Sequence, residues 1–249
     1  MTDQLPAVRD VPTATAAQMA EVDRVASELG IPVEALMASA GHQVARVVRL
    51  WSGGRVSRRD VVAIAGTGNN GGDALVALRW LHGWGATVRG VLSGPADRLR
   101  PAAKRQHDAL RAIGVELFDG AADPAAAGAA IERCDVVLDG LLGYSARGAP
   151  RGAVAELIHA TDGTRATIVA VDLPSGLDPD TGGAAGAVIR AGLTVTLALP
   201  KPGLLADDAR HRVGTLILAD IGIPSAAFAR VGIDTTALFS SGDIVRVER

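Results

Sequence analysis

The chain is poor in cysteine, in net charge and in long apolar segments, and each shortage excludes a class of protein. Cys134 is the only cysteine among the 249 residues, so a disulfide framework is impossible, and no zinc cluster is visible. The formal net charge is only -2, which indicates no broad basic surface for nucleic acid. No window reaches about 18 uninterrupted apolar residues, so we expect no membrane-spanning helix and no membrane partner. Residues 1–10 lack the apolar core of a signal peptide, which together with the single cysteine predicts a cytoplasmic location.

The chain contains enough hydrophobic residues to form a large core. Hydrophobic residues make up 48% of it and charged residues 21%, a composition that excludes a disordered chain. The length suits one α/β domain, since such domains often reach about 250 residues. We therefore predict a flexible N-terminal tail over residues 1–12 and a single domain over residues 13–249.

Short apolar runs alternate with segments of helical periodicity along the whole chain. This alternation is typical of βαβ units and predicts an α/β fold with a mainly parallel sheet and helices on both faces. The predicted strands are residues 60–65, 86–92, 115–118, 135–138 and 166–171, followed by two further β-like runs at 188–199 and 213–219. The predicted helices are residues 13–29, 32–47, 73–83, 101–113, 124–133 and 154–161.

Three loops that follow predicted strands carry unusual residues, and ligands bind beyond the carboxyl ends of strands in such sheets. The first loop reads Gly66-Thr-Gly-Asn-Asn-Gly-Gly-Asp73 and satisfies the pattern G-x-G-x-x-G before a helix. Glycines there permit a close backbone approach, and the helix N-terminus favours an anion such as phosphate. A tight turn capped by Asn and Asp is the alternative, because the bare pattern is weak. No acid follows the next strand before Asp97, which disfavours an ordinary NAD-dependent dehydrogenase.

The other two loops begin with aspartates. Asp139 opens a glycine-rich loop, and Asp172 lies in Val-Asp-Leu-Pro-Ser-Gly, where Ser175 can turn its hydroxyl inward. Each aspartate alone is also compatible with a turn or cap. Together with the asparagines of the first loop, they bring carboxylate, amide and hydroxyl oxygens to one edge of the predicted sheet. Such oxygens suit a hard cation as well as a hydroxyl-bearing substrate.

These loops together resemble the NAD(P)H-hydrate epimerase family, also called the YjeF N-terminal domain. The similarity begins at Thr15-Ala-Ala-Gln-Met-Ala-Glu-Val-Asp-Arg24 and extends to Leu199-Pro-Lys-Pro-Gly-Leu204. It implies a three-layer α/β/α Rossmann-like fold and an isomerase of metabolite repair. Members of that family interconvert the R and S epimers of hydrated NADH and NADPH (NADHX and NADPHX), use a potassium ion and are often dimers. A separate dehydratase then uses only the S epimer, and because this chain ends at Arg249 we expect it on another protein.

The resemblance also implies roles for individual residues. Asp139 and Asp172 are the candidates for proton transfer, and Asn70, Asp139 and Ser175 are the expected potassium contacts. The expected substrate contacts, besides Asp172, are Asn69, Asn70, Gly71, Gly72 and Asp73 at the phosphates and Gly143, Tyr144, Ser145, Ala146, Arg147, Gly148 and Ala149 in the second loop.

The sequence departs from the family pattern near the second helix. The family usually has Met-Glu-Asn-Ala-Gly where this chain has Met37-Ala-Ser-Ala-Gly41, so a carboxylate and an amide are missing. Two alternatives therefore stand beside the epimerase. One is a non-catalytic nucleotide- or partner-binding member of the same fold, although the acidic net charge argues against RNA. The other is an enzyme that uses the same site for a different nucleotide-like substrate, since a fold does not fix a function.

Overall fold

A computed structural model describes residues 4–249 and shows an α/β fold built on one large sheet. The strands of this part of the chain are β1 (Ala7–Val8), β2 (Asp60–Ala65), β3 (Thr87–Leu92), β4 (Glu116–Asp119), β5 (Val136–Gly140), β6 (Thr167–Val171), β7 (Leu193–Leu197), β8 (Thr215–Ala219) and β9 (Ile244–Val247). Its α-helices are α1 (Ala16–Glu28), α2 (Val33–Trp51), α3 (Asn69–Gly83), α4 (Pro101–Ala112), α5 (Pro124–Arg133), α6 (Ala153–Ala160), α7 (Pro202–Leu205), α8 (Arg210–Val213) and α9 (Ser225–Ala229).

The strand order is β1-β9-β8-β7-β6-β5-β2-β3-β4, and every pair is parallel except β8 with β9. The chain runs outward from β2 to β4 and then returns to place β5 on the other side of β2. This reversal creates a topological switch point between β2 and β5. In sheets of this kind the crevice at the switch point is the usual ligand site.

The core lies on both faces of the sheet. Along β2, Val61, Ala63 and Ala65 pack in one apolar cluster, and Val62 and Ile64 pack in another on the opposite face. The first cluster includes side chains from α1 to α4, and the second includes side chains from α5 and α6. The three-layer α/β/α Rossmann-like architecture with a mainly parallel sheet is therefore confirmed.

The structure differs from the sequence-based prediction at the chain ends. Residues 1–12 were expected to be a flexible tail, yet β1 within them pairs in parallel with β9, with Ala7 opposite Arg246. The backbone N–H of Glu248 donates to the carbonyl of Val8 at 2.9 Å. Strand β9 has no counterpart among the predicted strands. The residues preceding position 4 lie outside the described part.

Helix α3 begins four residues earlier than predicted, at Asn69 instead of Asp73. The sequence Asn-Asn-Gly-Gly has low helix propensity, so periodicity alone favours a later start. Tertiary packing overrides it, since a Cβ at Gly71 would lie 2.0 Å from the carbonyl oxygen of Gly66. The first turn of α3 can therefore approach the end of β2 only without a side chain at that position. Asn69 and Asn70 consequently belong to the helix N-terminus instead of a loop.

Candidate active site

A cavity of about 720 Å³ opens at the switch point, within the range of about 300–1,000 Å³ typical of small-molecule sites. The N-terminus of α3, the loop after β5, the ends of β6 and β7, and one side of α1 and α2 form its walls. Eight of the predicted substrate residues line it, namely Asn69, Asn70, Asp73, Gly143, Tyr144, Ser145, Ala146 and Asp172.

The other predicted contacts lie outside the cavity lining. Gly71 and Gly72 are buried within α3, where a Cβ on Gly72 would meet the Met37 side chain. Gly148 and Ala149 lie further along the loop after β5. Arg147 is exposed, and its guanidinium donates to the backbone carbonyls of Tyr144 and Ala146 at 2.8 and 2.9 Å. In this conformation Arg147 therefore supports its own loop.

The N-terminus of α3 faces the cavity with unsatisfied backbone donors. Gly68 is the N-cap, has an extended backbone and provides no side-chain cap. The first N–H groups of an uncapped helix lack intrahelical acceptors and, with the helix dipole, attract an anion. Arg100, from the segment before α4, also lines the cavity. Among residues 4–249 no carboxylate pairs with its guanidinium. This wall of the cavity is suited to phosphate groups.

Asp139 lies beneath the cavity and has no exposed surface. Its carboxylate accepts from the Ser175 hydroxyl at 2.6 Å, the Ser175 N–H at 2.8 Å and the Leu141 N–H at 3.2 Å. Burial raises its pKa to about 6, and these hydrogen bonds oppose the rise. Asp139 thus ties the loop after β5 to the loop after β6.

The three predicted potassium contacts meet around one peptide segment. The Ser175 hydroxyl accepts from the Leu142 N–H at 2.9 Å, and the Asn70 side-chain amide donates to the Leu142 carbonyl at 2.8 Å. Asp139 completes the group through its contacts with Ser175. Within residues 4–249, no three His, Cys, Asp or Glu side chains cluster as ligands for a metal ion. The oxygens here are instead one carboxylate, one hydroxyl and one amide, a set compatible with a weakly bound hard cation.

Asp172 and Lys201 form a buried ion pair on the cavity wall. Asp172 has a φ of 68°, in the left-handed region that a non-glycine residue rarely adopts and that often marks a functional site. Its carboxylate accepts from the Lys201 ammonium and from the Leu197 N–H at 3.3 Å. The ammonium also donates to the Leu197 carbonyl at 3.2 Å. Lys201 therefore fixes the orientation of the Asp172 carboxylate.

Sequence reasoning missed Lys201 as a member of the site. Its side chain is 1% exposed and is the largest among the fully buried side chains of the described residues. The available signal was its place in Pro-Lys-Pro-Gly, directly after an apolar run that forms β7 at the same sheet edge.

The carboxyl groups of Asp23 and Asp73 also line the cavity, together with Asp172 and Lys201. Asp23 of α1 accepts from the hydroxyl of Tyr144, so the far wall is linked to the loop after β5. Burial is the main cause that raises the pKa of Asp23. Asp73, one turn into α3, also has a pKa raised well above its ordinary value, first by burial and then by Asp172 and Asp23. The cavity therefore combines a helix end suited to an anion with a cluster of carboxyl groups around one ammonium.

The departure from the family pattern at α2 falls on two positions that do not line the cavity in this chain. Met37 and Ala40 line the cavity, whereas Ala38 is exposed and Ser39 does not contribute to the lining. Ala38 and Ser39 occupy the positions of the family's usual glutamate and asparagine.

Comparisons with known proteins find similarity over most of the chain. The family model described as YjeF-related protein N-terminus matches residues 33–203. The chain is 37% identical over 231 residues to the NAD(P)H-hydrate epimerase of Dehalogenimonas lykanthroporepellens, covering 92% of this chain and 90% of that protein. It is 38% identical over 218 residues to the bifunctional NAD(P)H-hydrate repair enzyme Nnr of Moorella thermoacetica, but covers 41% of that protein's length against 86% of its own.

The fold is also similar to a solved structure. The crystal structure of the yeast protein YNL200c superposes with a TM-score of 0.80 and 25% identity, over 95% of this chain and all of that one. The sequence similarity over most of the chain and the similarity of the whole fold thus indicate the same family. The chain belongs to the family of YjeF-related protein N-termini.

Proposed function

We propose that the protein is an NAD(P)H-hydrate epimerase, an isomerase that interconverts the R and S forms of NADHX and NADPHX. The observation that carries the proposal is the cavity at the switch point, where the uncapped start of α3 lies beside the carboxyl groups of Asp73 and Asp172. The helix end suits the diphosphate of a dinucleotide. The carboxyl groups suit proton transfer at the altered ring. The similarity to an epimerase over nearly the full length of both proteins supports the same assignment.

The reaction inverts one carbon of the reduced nicotinamide ring that carries a hydroxyl beside the ring nitrogen. The nitrogen lone pair assists loss of the hydroxyl as water, and water returns to the opposite face. Opening and reclosure of the ring is the other route. Both routes need a group that donates a proton and a group that accepts one. Asp172, ion-paired with Lys201, is placed to accept a proton or to stabilise a cationic ring.

Asp139 has a different role in this proposal from Asp172. It has no exposed surface, and three donors surround its carboxylate. We therefore assign to Asp139 the positioning of the two loops that carry Tyr144 and Asp172. Apart from Asp73, whose carboxyl group is assigned to proton transfer, the other predicted substrate contacts that line the cavity keep their expected roles as proposals.

A potassium ion fits the group formed by Asn70, Asp139 and Ser175. Asp139 is a buried carboxylate whose contacts in residues 4–249 are hydrogen-bond donors, with no ammonium or guanidinium group beside it. A monovalent cation at this group would offset that buried charge and order the loop after β5. The residues of this chain carry out the proton transfers in our proposal.

The remaining expectations from the resemblance stay proposals. We propose that the protein forms a homodimer. Sedimentation velocity would distinguish it from a monomer. We also propose that the protein acts in the cytoplasm. In the proposed repair, a dehydratase acts next on the S epimer. In residues 4–249, no helix has the length and apolar character needed to cross a membrane.

A coupled assay tests the proposed activity. A mixture of R-NADHX and S-NADHX is treated with a dehydratase that consumes only the S form, with and without this protein. We expect the R form to disappear rapidly only when the protein is present. If the R form is consumed no faster than in the protein-free reaction, while the protein binds NADH, the non-catalytic alternative is favoured. If the protein binds no dinucleotide, a different substrate is favoured.

A further inference from the structure

Asp73 differs from the other acidic side chains of the site because its carboxyl group has no partner in the protein. Asp172 is paired with Lys201, Asp23 accepts from Tyr144, and Asp139 accepts from Ser175 and Leu141. Among residues 4–249, none forms a hydrogen bond or an ion pair with the Asp73 carboxyl group. The side chain is nevertheless only 9% exposed, and it lines the cavity.

Polar groups that are largely buried are nearly always hydrogen-bonded, so a partner for the Asp73 carboxyl group is expected from the cavity onto which it opens. Since Asp73 faces the cavity, a bound substrate is the group that can provide this partner. The sequence-based expectation places Asp73 at the phosphates of the substrate, where an ionised carboxylate would repel them. A protonated carboxyl group is instead a hydrogen-bond donor.

The surroundings of Asp73 favour that protonated form. The charged groups that act on it come from three other elements, namely Asp23 on α1, Asp172 after β6 and Lys201 after β7. Burial raises the pKa of Asp73 most, the two carboxylates raise it further, and Lys201 opposes them. Helix α2 contacts this part of α3 through Gly41, whose added Cβ would lie 2.6 Å from the Asp73 carbonyl oxygen. Asp73 therefore favours the protonated form while Asp172 is ion-paired with Lys201, an arrangement typical of acid and base roles in one site.

We propose that Asp73 is the general acid of the epimerase, an inference that rests on the proposed function. Its carboxyl proton passes to the hydroxyl oxygen of the hydrated ring, the carbon–oxygen bond breaks, and water leaves. The ring nitrogen lone pair forms a carbon–nitrogen double bond, and the positive ring is stabilised by the Asp172 carboxylate. Water then adds to the opposite face and loses a proton to the solvent of the cavity, from which the Asp73 carboxylate takes up a proton, which restores the acid.

The experiment compares the wild type with Asp73→Asn and, as a matched control, with Asp162→Asn. Asparagine is isosteric with aspartic acid and can donate a hydrogen bond, but it cannot release a proton. Asp162 is an exposed aspartate whose side chain contacts only His159 in the described structure. For each protein we measure kcat and KM for R-to-S conversion of NADHX, the Kd for NADH, the thermal midpoint and the pH dependence of kcat.

We expect Asp73→Asn to lower kcat by about 10²–10⁴-fold, the usual contribution of acid–base catalysis. The Kd for NADH should change less than threefold, and Asp162→Asn should match the wild type. In the wild type kcat should fall as the pH rises, because the acid loses its proton, and the residual activity of Asp73→Asn should lack this decline. The thermal midpoint of Asp73→Asn should not fall, since no contact is lost.

Two results would overturn the inference while leaving the epimerase assignment in place. One is a kcat for Asp73→Asn within threefold of the wild type. The other is a parallel loss of turnover and NADH affinity, which would make Asp73 a binding residue only. A wild type that does not accelerate the conversion would instead remove the proposed function itself.

Discussion

Replacing Lys201 by methionine is expected to destabilise the fold far more than the same change at Lys104, the other lysine of the chain. Both lysines are paired with an aspartate, but in different surroundings. The side chains of Lys201 and Asp172 are 1% and 6% exposed, whereas those of Lys104 and Asp108 are 40% and 55% exposed. Methionine keeps most of the side-chain volume, so the comparison isolates the charge and its hydrogen bonds.

The magnitudes follow from this difference in burial. Removing one member of a buried pair leaves an uncompensated charge and costs about 3–5 kcal/mol. Lys201→Met leaves the Asp172 carboxylate with the Leu197 N–H as its remaining donor. The exposed pair joins positions i and i+4 of a helix, and such pairs contribute only about 0.3–0.5 kcal/mol. For a domain of this size about 1 kcal/mol corresponds to roughly 2–4 °C, so Lys201→Met should lower the Tm by roughly 6–20 °C.

A double-mutant cycle in urea makes the test quantitative. The free energy of unfolding is measured for Lys201→Met, Asp172→Asn and the double variant, and for the equivalent three variants at Lys104 and Asp108. We expect a coupling of about 2–3 kcal/mol for the buried pair, at the upper end of values for residues in contact. The exposed pair should show less than about 0.5 kcal/mol. A cost below about 1 kcal/mol for Lys201→Met, or equal couplings in the two cycles, would show that burial does not strengthen the Lys201–Asp172 pair.

Three further predictions concern the phosphate wall, the pH and the cation. Arg100→Gln should raise KM about tenfold with kcat unchanged, because uniform ground-state binding is lost; an unchanged KM in steady-state assays would contradict the phosphate role. Burial favours the protonated form of Asp139, with a pKa of about 6 against an ordinary 3.8. Without potassium, the free energy of unfolding should therefore fall by about 2 kcal/mol as the pH rises from about 4 to 6. Asp139→Asn should abolish that decline in urea titrations, and a wild type with no decline would show that Asp139 is not held protonated. Exchange of potassium for lithium should raise the apparent KM, and activity with no ion dependence would remove the proposed cation.

Much of the fold follows from local sequence patterns. The strand at Asp60–Ala65 and the helix at Pro124–Arg133 have the predicted bounds, because strong periodicity and flanking turn residues coincide there. The pairing of Ala7–Val8 with β9 was not predictable, since a two-residue strand has no periodicity and is defined only by its partner. The start of α3 at Asn69 depends on a contact between the ends of β2 and α3. The helix propensity of the segment alone cannot predict such a contact.

Individual residues of the candidate site could be predicted from the sequence, but the contacts between them could not. Parallel topology explains why Asn70, Asp139 and Asp172 could be expected at one edge of the sheet from their positions after strands. The burial of Asp139 beneath the cavity could not be predicted from the sequence, because the hydrogen bonds from Ser175 and Leu141 depend on how two loops fold together. Lys201 was missed for a similar reason, since its partner lies 29 positions earlier in the chain.

The most direct test of the central claim is the rate of R-to-S conversion itself. Purified protein is mixed with R-enriched NADHX in potassium buffer, and the ratio of epimers is followed by chromatography beside a protein-free sample and Asp172→Asn. We predict rapid equilibration with the wild type, and a rate in the variant close to that of the protein-free sample. Equilibration no faster than in the protein-free sample, from wild-type protein that still binds NADH, would contradict the account and leave a nucleotide-binding site without this chemistry.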